Sequence, residues 1–150
     1  ESTVDLAALP ALLNAGCPDG LQVLQAYEAV RPVRELAFVA AEISLFYDNG
    51  TPKDAAEQLQ LLFSRDVLTI QKRTKRKELA DVDIIPLIRR ISFLALPDRV
   101  LVQAVVSAQN PGLNPALLAA AVEKECPALA PDFVSVRRTD VLDADGTPFR

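Results

Sequence analysis

The sequence predicts an α+β fold: a ferredoxin-like βαββαβ antiparallel sheet with helices on one face, preceded by a helix–strand remnant of an upstream half. Three observations carry that expectation. From Leu36 onward the segments run strand, helix, strand, a connection with a hairpin, strand, helix, strand. The strand segments alternate at period two, whereas the two helical ones open on Pro and repeat apolar residues at helical spacing. Finally, the 150 residues are 50% hydrophobic and 24% charged, a balance that supports one globular core. We assign residues 1–30 to the remnant and residues 31–150 to the ferredoxin-like domain.

Residues 4–14 (VDLAALPALLN) read as a short helix capped by Asp5 and stopped by Gly16 and Cys17-Pro18. Pro10 lies within it and implies a bend or a later start. A turn at Pro18-Asp19-Gly20 leads to residues 21–27 (LQVLQAY), which read as a strand. Such a pair cannot bury both faces alone, so it either docks on the rest of the chain or is the tail of a preceding domain. After the linker-like residues 31–34, residues 35–47 alternate, with Val39, Ala41, Ile43, Leu45 and Tyr47 the core-facing set at its later positions, although Leu36, Val39 and Ala40 also fit a helical turn at the start. Thr51 then stands as N-cap of a helix with Pro52 in its first turn and Leu59, Leu62 and Phe63 as its buried stripe.

Residues 67–74 read as the next strand, with Leu68 and Ile70 on one face. Pro86 makes residues 81–88 an edge, a turn or a short helical segment, because Pro cannot donate to a ladder. Residues 90–96 and 100–108 form a hairpin across Pro97-Asp98-Arg99. Asn114 caps and Pro115 begins the second helix, which Pro127 prevents from extending. Residues 133–142 (FVSVRRTDVL) are the last strand.

Charge is distributed unevenly. The chain carries a net charge of -4, yet eight of its sixteen Lys and Arg residues lie between Arg65 and Arg90. Lys72, Arg73, Lys75, Arg76 and Lys77 form a block at what reads as a hairpin tip. It is either a solvated surface or a phosphate contact to which Arg89, Arg90, Arg137 and Arg138 add. RNA is then the candidate ligand; duplex DNA is disfavoured because no recognition helix is evident. Few aromatics, with Trp absent, argue against an extensive stacking platform. Arg138, if inward, could instead pair with Asp83.

Other chemistry is poorly provided for. With no His and two distant Cys residues, neither a metal cluster nor a Ser-His-Asp or Cys-His arrangement can be assembled, so no catalytic, metal or cofactor residue is assigned. Glu78, Asp81 and Asp83 could hold a cation or act as a base, but neutralising neighbouring cations or capping turns is the simpler role. Asp83 and Pro86 are read as a structural loop, the carboxylate accepting backbone N–H bonds. Apolar runs are too short to span a bilayer, and Cys17 and Cys126 read as reduced thiols of a cytoplasmic protein. The first residue is Glu1 rather than Met, so a cut or processed product is expected.

Several phrases together resemble a known family: Leu13-Asn14 with PDGLQVL (18–24), IQKRTKRK (70–77), DIIPLI (83–88), LNPALL (113–118) and VRRTDV (136–141). They are similar to the C-terminal part of the bacterial radical-SAM-linked domain of unknown function. That family's N-terminal His-containing phrases are absent, and Ile85 stands where it often has Arg. The family has no settled activity. The resemblance implies a radical SAM protein as partner and, for this chain, a non-catalytic accessory domain that helps recognise an RNA substrate through the basic hairpin. Two other readings stand beside it: a protein–protein docking module for that partner, and half of an enzyme whose catalytic residues lie in the missing half.

Overall fold

A computed structural model describes residues 5–73 and 79–149. The chain forms two compact units, Glu1–Pro32 and Val33–Arg150.

The first unit contains one six-residue helix, α1 (Leu9–Asn14). It starts later than the sequence predicts. Asp5 closes a turn by accepting the Ala7 N–H at 3.0 Å, and Pro10 falls in the first turn, where its missing N–H costs nothing. The expected strand at residues 21–27 does not form. Asn14 explains part of this: its side chain donates to the Val23 carbonyl at 2.9 Å and accepts the Val23 N–H at 2.7 Å. A side-chain amide thus satisfies the groups that a neighbouring strand would have paired.

The second unit is an α+β fold around a four-stranded antiparallel sheet of order β4-β5-β1-β6. β1 (Leu36–Phe46) leads through α2 (Ala55–Phe63) and a two-stranded excursion, β2 (Thr69–Arg73) and β3 (Leu79–Asp83). The chain then enters β4 (Ile88–Leu96) and turns directly into β5 (Arg99–Ser107). α3 (Ala116–Glu125) returns it to β6 (Phe133–Asp143).

Alternation sets which face is buried. Ala41, Ile43 and Leu45 on β1 and Tyr47 just beyond it are all buried, as are Val100, Val102, Ala104 and Val106 on β5. Against that face pack Leu59, Leu62 and Phe63 of α2 and Leu118, Ala121 and Val122 of α3. The Phe63 and Phe93 rings meet at 5.5 Å. Burying each large aliphatic side chain contributes about 1.5–3 kcal/mol, so this contiguous layer is the main support of the fold.

Two local expectations are corrected. Thr51 does not cap α2; Asp54 occupies that position, in the left-handed region at φ 57° and with no side-chain cap bond. Thr51 instead donates its N–H to Pro97 O at 3.0 Å and its hydroxyl to Leu96 O, tying the loop before α2 to the β4–β5 turn. The strand starting near residue 67 does not enter the main sheet. β2 pairs with β3 alone, with Leu68 and Ile70 buried and Lys124 Nζ of α3 donating to Thr69 O at 2.8 Å.

Tyr47 closes one end of the core, its hydroxyl donating to the buried Leu129 carbonyl at 2.9 Å. Burial, and secondarily the Asp132 carboxylate, raise its pKa above the ordinary 10.0. The folded state therefore holds the phenol proton more tightly than the unfolded chain does. This contribution is complete below pH 10.0 and disappears as pH rises through the folded value. Tyr47→Phe is expected to cost about 1 kcal/mol near neutrality and to flatten the loss of stability above pH 10, as measured by urea unfolding across pH.

Candidate functional site

The face of the sheet opposite the helices is open. Its outward residues form rows that the strand register defines. One row runs Ser92, Gln103, Glu42, Arg137 across all four strands; the next begins Arg90, Val105, Ala40. Arg90, Ser92, Gln103 and Arg137 are exposed. Between the rows lies a shallow cavity of about 320 Å³ lined by residues including Ala40, Glu42, Arg90, Gln103 and Thr139. Small Ala40 leaves the space, and hydrogen-bonding groups surround it.

Four arginines serve this face. Arg137 pairs with Glu42 at 3.4 Å, with 76% of its own side chain exposed. Arg90 has no ion pair or hydrogen bond among the described residues. Arg89 is the extra residue of an irregularity in the β4–β5 register; its guanidinium lies 4.6 Å from the Phe38 ring centroid and donates to Ala144 O at 2.9 Å. Asp143 braces that carbonyl's turn by accepting the Asp145 and Thr147 N–H groups at 3.1 and 2.9 Å. At the other end Arg99 lies 5.0 Å over the Phe46 ring, and Phe46 meets Phe133 at 5.7 Å. Phe133 is 62% exposed and Leu94 57%. The face thus carries arginines, Glu42 and hydrogen-bonding groups at its centre and is apolar at one end.

Of the nine basic positions read from the sequence, the four whose side chains are described divide between the two faces of the sheet. Arg89, Arg90 and Arg137 share the open face. Arg138 pairs in register with inward-facing Ala41 and lies on the helix side. Lys72 and Arg73 end β2, in the hairpin anchored on α3. Lys75, Arg76 and Lys77 lie outside the described residues, as does Glu78. Gln103, Arg99 and Phe133 belong to the open face and were not singled out by sequence; alternation places them there once β5 and β6 are set in register with β1.

Asp83 is a loop anchor. Its Oδ1 accepts the Leu68 N–H at 2.9 Å and the Ile85 N–H at 3.2 Å, while Ile84 N donates to Leu68 O at 2.9 Å. These bonds close the base of the β2–β3 hairpin just before Pro86 enters a 3-10 turn, Ile85–Leu87. No Asp83–Arg138 pair exists: Arg138 is exposed and has no ion pair among the described residues. Among those residues no three His, Cys, Asp or Glu side chains gather to hold a metal. Cys17 and Cys126 are free thiols, and no described helix is long and apolar enough to cross a membrane.

Residues 1–115 match a family model described as an uncharacterized protein conserved in bacteria (DUF2344). No curated protein matches the chain, and no solved structure does.

Asp83→Ala leaves two backbone donors without their acceptor and should cost about 1–3 kcal/mol. Asp83→Asn, which retains an acceptor oxygen, should cost less; chemical denaturation of both variants checks the order.

Proposed function

For a chain that belongs to the bacterial family DUF2344, we propose a non-catalytic recognition role: its open sheet face holds single-stranded RNA for a radical SAM partner. The observation that carries this reading is the placement of Arg89, Arg90, Arg99 and Arg137 along one uncovered sheet face, with Arg99 and exposed Phe133 at one end of it. Guanidinium groups meet phosphates bidentately, and exposed rings and guanidinium planes offer stacking surfaces to unpaired bases. Gln103 and Ser92, exposed between them, can bond base edges.

The strand order, with α2 linking β1 to β4 and α3 linking β5 to β6, supports reading the second unit as ferredoxin-like, a layout that covers one sheet face and frees the other. The radical SAM partner rests on the phrases of residues 13–24, 70–77, 83–88, 113–118 and 136–141. Free Cys17 and Cys126 favour a cytoplasmic setting for that partnership. The basic block Lys72, Arg73, Lys75, Arg76 and Lys77 enters this reading as a secondary electrostatic contact.

A second reading is favoured by the apolar end of the same face, where Leu94 and Phe133 are more than half exposed: the module docks directly on a protein partner.

Fluorescence anisotropy with a mixed-sequence single-stranded RNA at about 50 mM salt separates these. The RNA reading predicts saturable binding that weakens steeply with salt, falls at least tenfold in a variant carrying Arg89→Glu, Arg90→Glu and Arg137→Glu, and falls less when Lys72, Arg73, Lys75 and Arg76 are reversed. Absence of RNA binding at every salt concentration refutes it. Nuclease-insensitive co-purification of the partner, unaltered by either reversal, supports docking instead.

A further inference from the structure

On the helix side of the sheet a cavity of about 430 Å³ opens between the ends of β1 and β6 and the start of α3. Its walls include Leu36, Val39, Leu113 and Val141, and three polar side chains, Arg138, Asn114 and Ser107, also line it. Small-molecule sites commonly have this volume and this pattern of apolar walls with few polar groups.

Arg138 is the unexpected member. Its register with Ala41 puts it on the face where the other residues of β6 at that parity, Val134 and Val136, are apolar. It has neither a hydrogen bond nor an ion pair among the described residues, so its five N–H donors are available. Asn114 accepts the Ala116 N–H through Oδ1 at 3.2 Å, which leaves its amide Nδ2 free to donate. The remaining lining hydroxyl, Ser107, already donates to Pro111 O at 2.9 Å. The first-turn N–H groups of α3 are also engaged: Leu117 with Asn114 O at 2.9 Å and Leu118 with Pro115 O at 3.1 Å. The available recognition groups are therefore side-chain donors, and among the described residues no acidic one lines the cavity.

From this arrangement we infer that the cavity binds a small amphipathic carboxylate, its apolar body against Val39, Leu113 and Val141 and its head on Arg138 and Asn114. A planar guanidinium matches a carboxylate with two parallel hydrogen bonds. A phosphate dianion would call for a second cation, and among the described residues Arg138 is the one cation of the lining. The site lies on the opposite side of the sheet from the Arg90–Arg137 surface and is independent of the RNA reading.

Amide-resolved NMR titration of the whole 150-residue chain tests it with three probes: hexanoate, hexan-1-ol and acetate. Hexanoate should saturably shift the amides of Leu36, Val39 and Leu113, and bind at least tenfold more tightly than either other probe. Arg138→Leu should weaken hexanoate at least tenfold without weakening hexan-1-ol, while Arg90→Leu on the opposite face leaves hexanoate unchanged. Failure of hexanoate to saturate these shifts overturns the inference. So does equal hexanoate affinity in the wild type and Arg138→Leu.

Discussion

The two-sided pairing of β1 is the constraint on which the second unit depends. Residues 38–46 of this strand pair with β5 on one side and, across an irregularity, with β6 on the other. Because side chains alternate at every residue, one slip of register would exchange Ala41, Ile43 and Leu45 for Ala40, Glu42 and Ser44 on the helix side. Burial of Ile43 and Leu45 to 1% exposure or less therefore fixes more than the core. The same register aligns Gln103, Glu42 and Arg137 on the opposite face. Core and candidate site are two faces of one pairing.

That coupling also accounts for the division of the basic residues. Arg137 and Arg138 are neighbours in sequence, so a strand sends them to opposite faces: one meets Glu42, the other enters an apolar cavity mouth. Arg89 and Arg90 would be separated in the same way, but the register irregularity between Ile88 and Arg90 places both on the open side. A β-bulge re-aims a side chain in this manner. The hairpin remains apart because Asp83 and Leu68 close its base and Leu68 and Ile70 bury beside α3.

Much of this was legible in the sequence. The alternation of residues 35–47, the β4–β5 hairpin across Pro97 and the buried stripe Leu59, Leu62 and Phe63 all follow from periodicity. The α+β class and the four-stranded antiparallel sheet follow from the order of those elements. The strand expected at residues 21–27 failed because local alternation says nothing about a partner, and Asn14 supplied a side-chain substitute. Thr51 looked like a cap because its residue type and the following Pro fit one; the carbonyls of Leu96 and Pro97, distant in sequence, competed for it. The basic positions were visible as residues, but their allocation to faces needed a register irregularity that no single strand announces.

We propose that RNA lies on the face left open by β1 pairing. Amide shift mapping during titration with single-stranded RNA tests that claim most directly. The account predicts that the largest shifts fall on Ser92, Gln103, Glu42 and Arg137, with the α2 and α3 amides little changed. Shifts confined to the helices, with the open-face row unmoved, would contradict it.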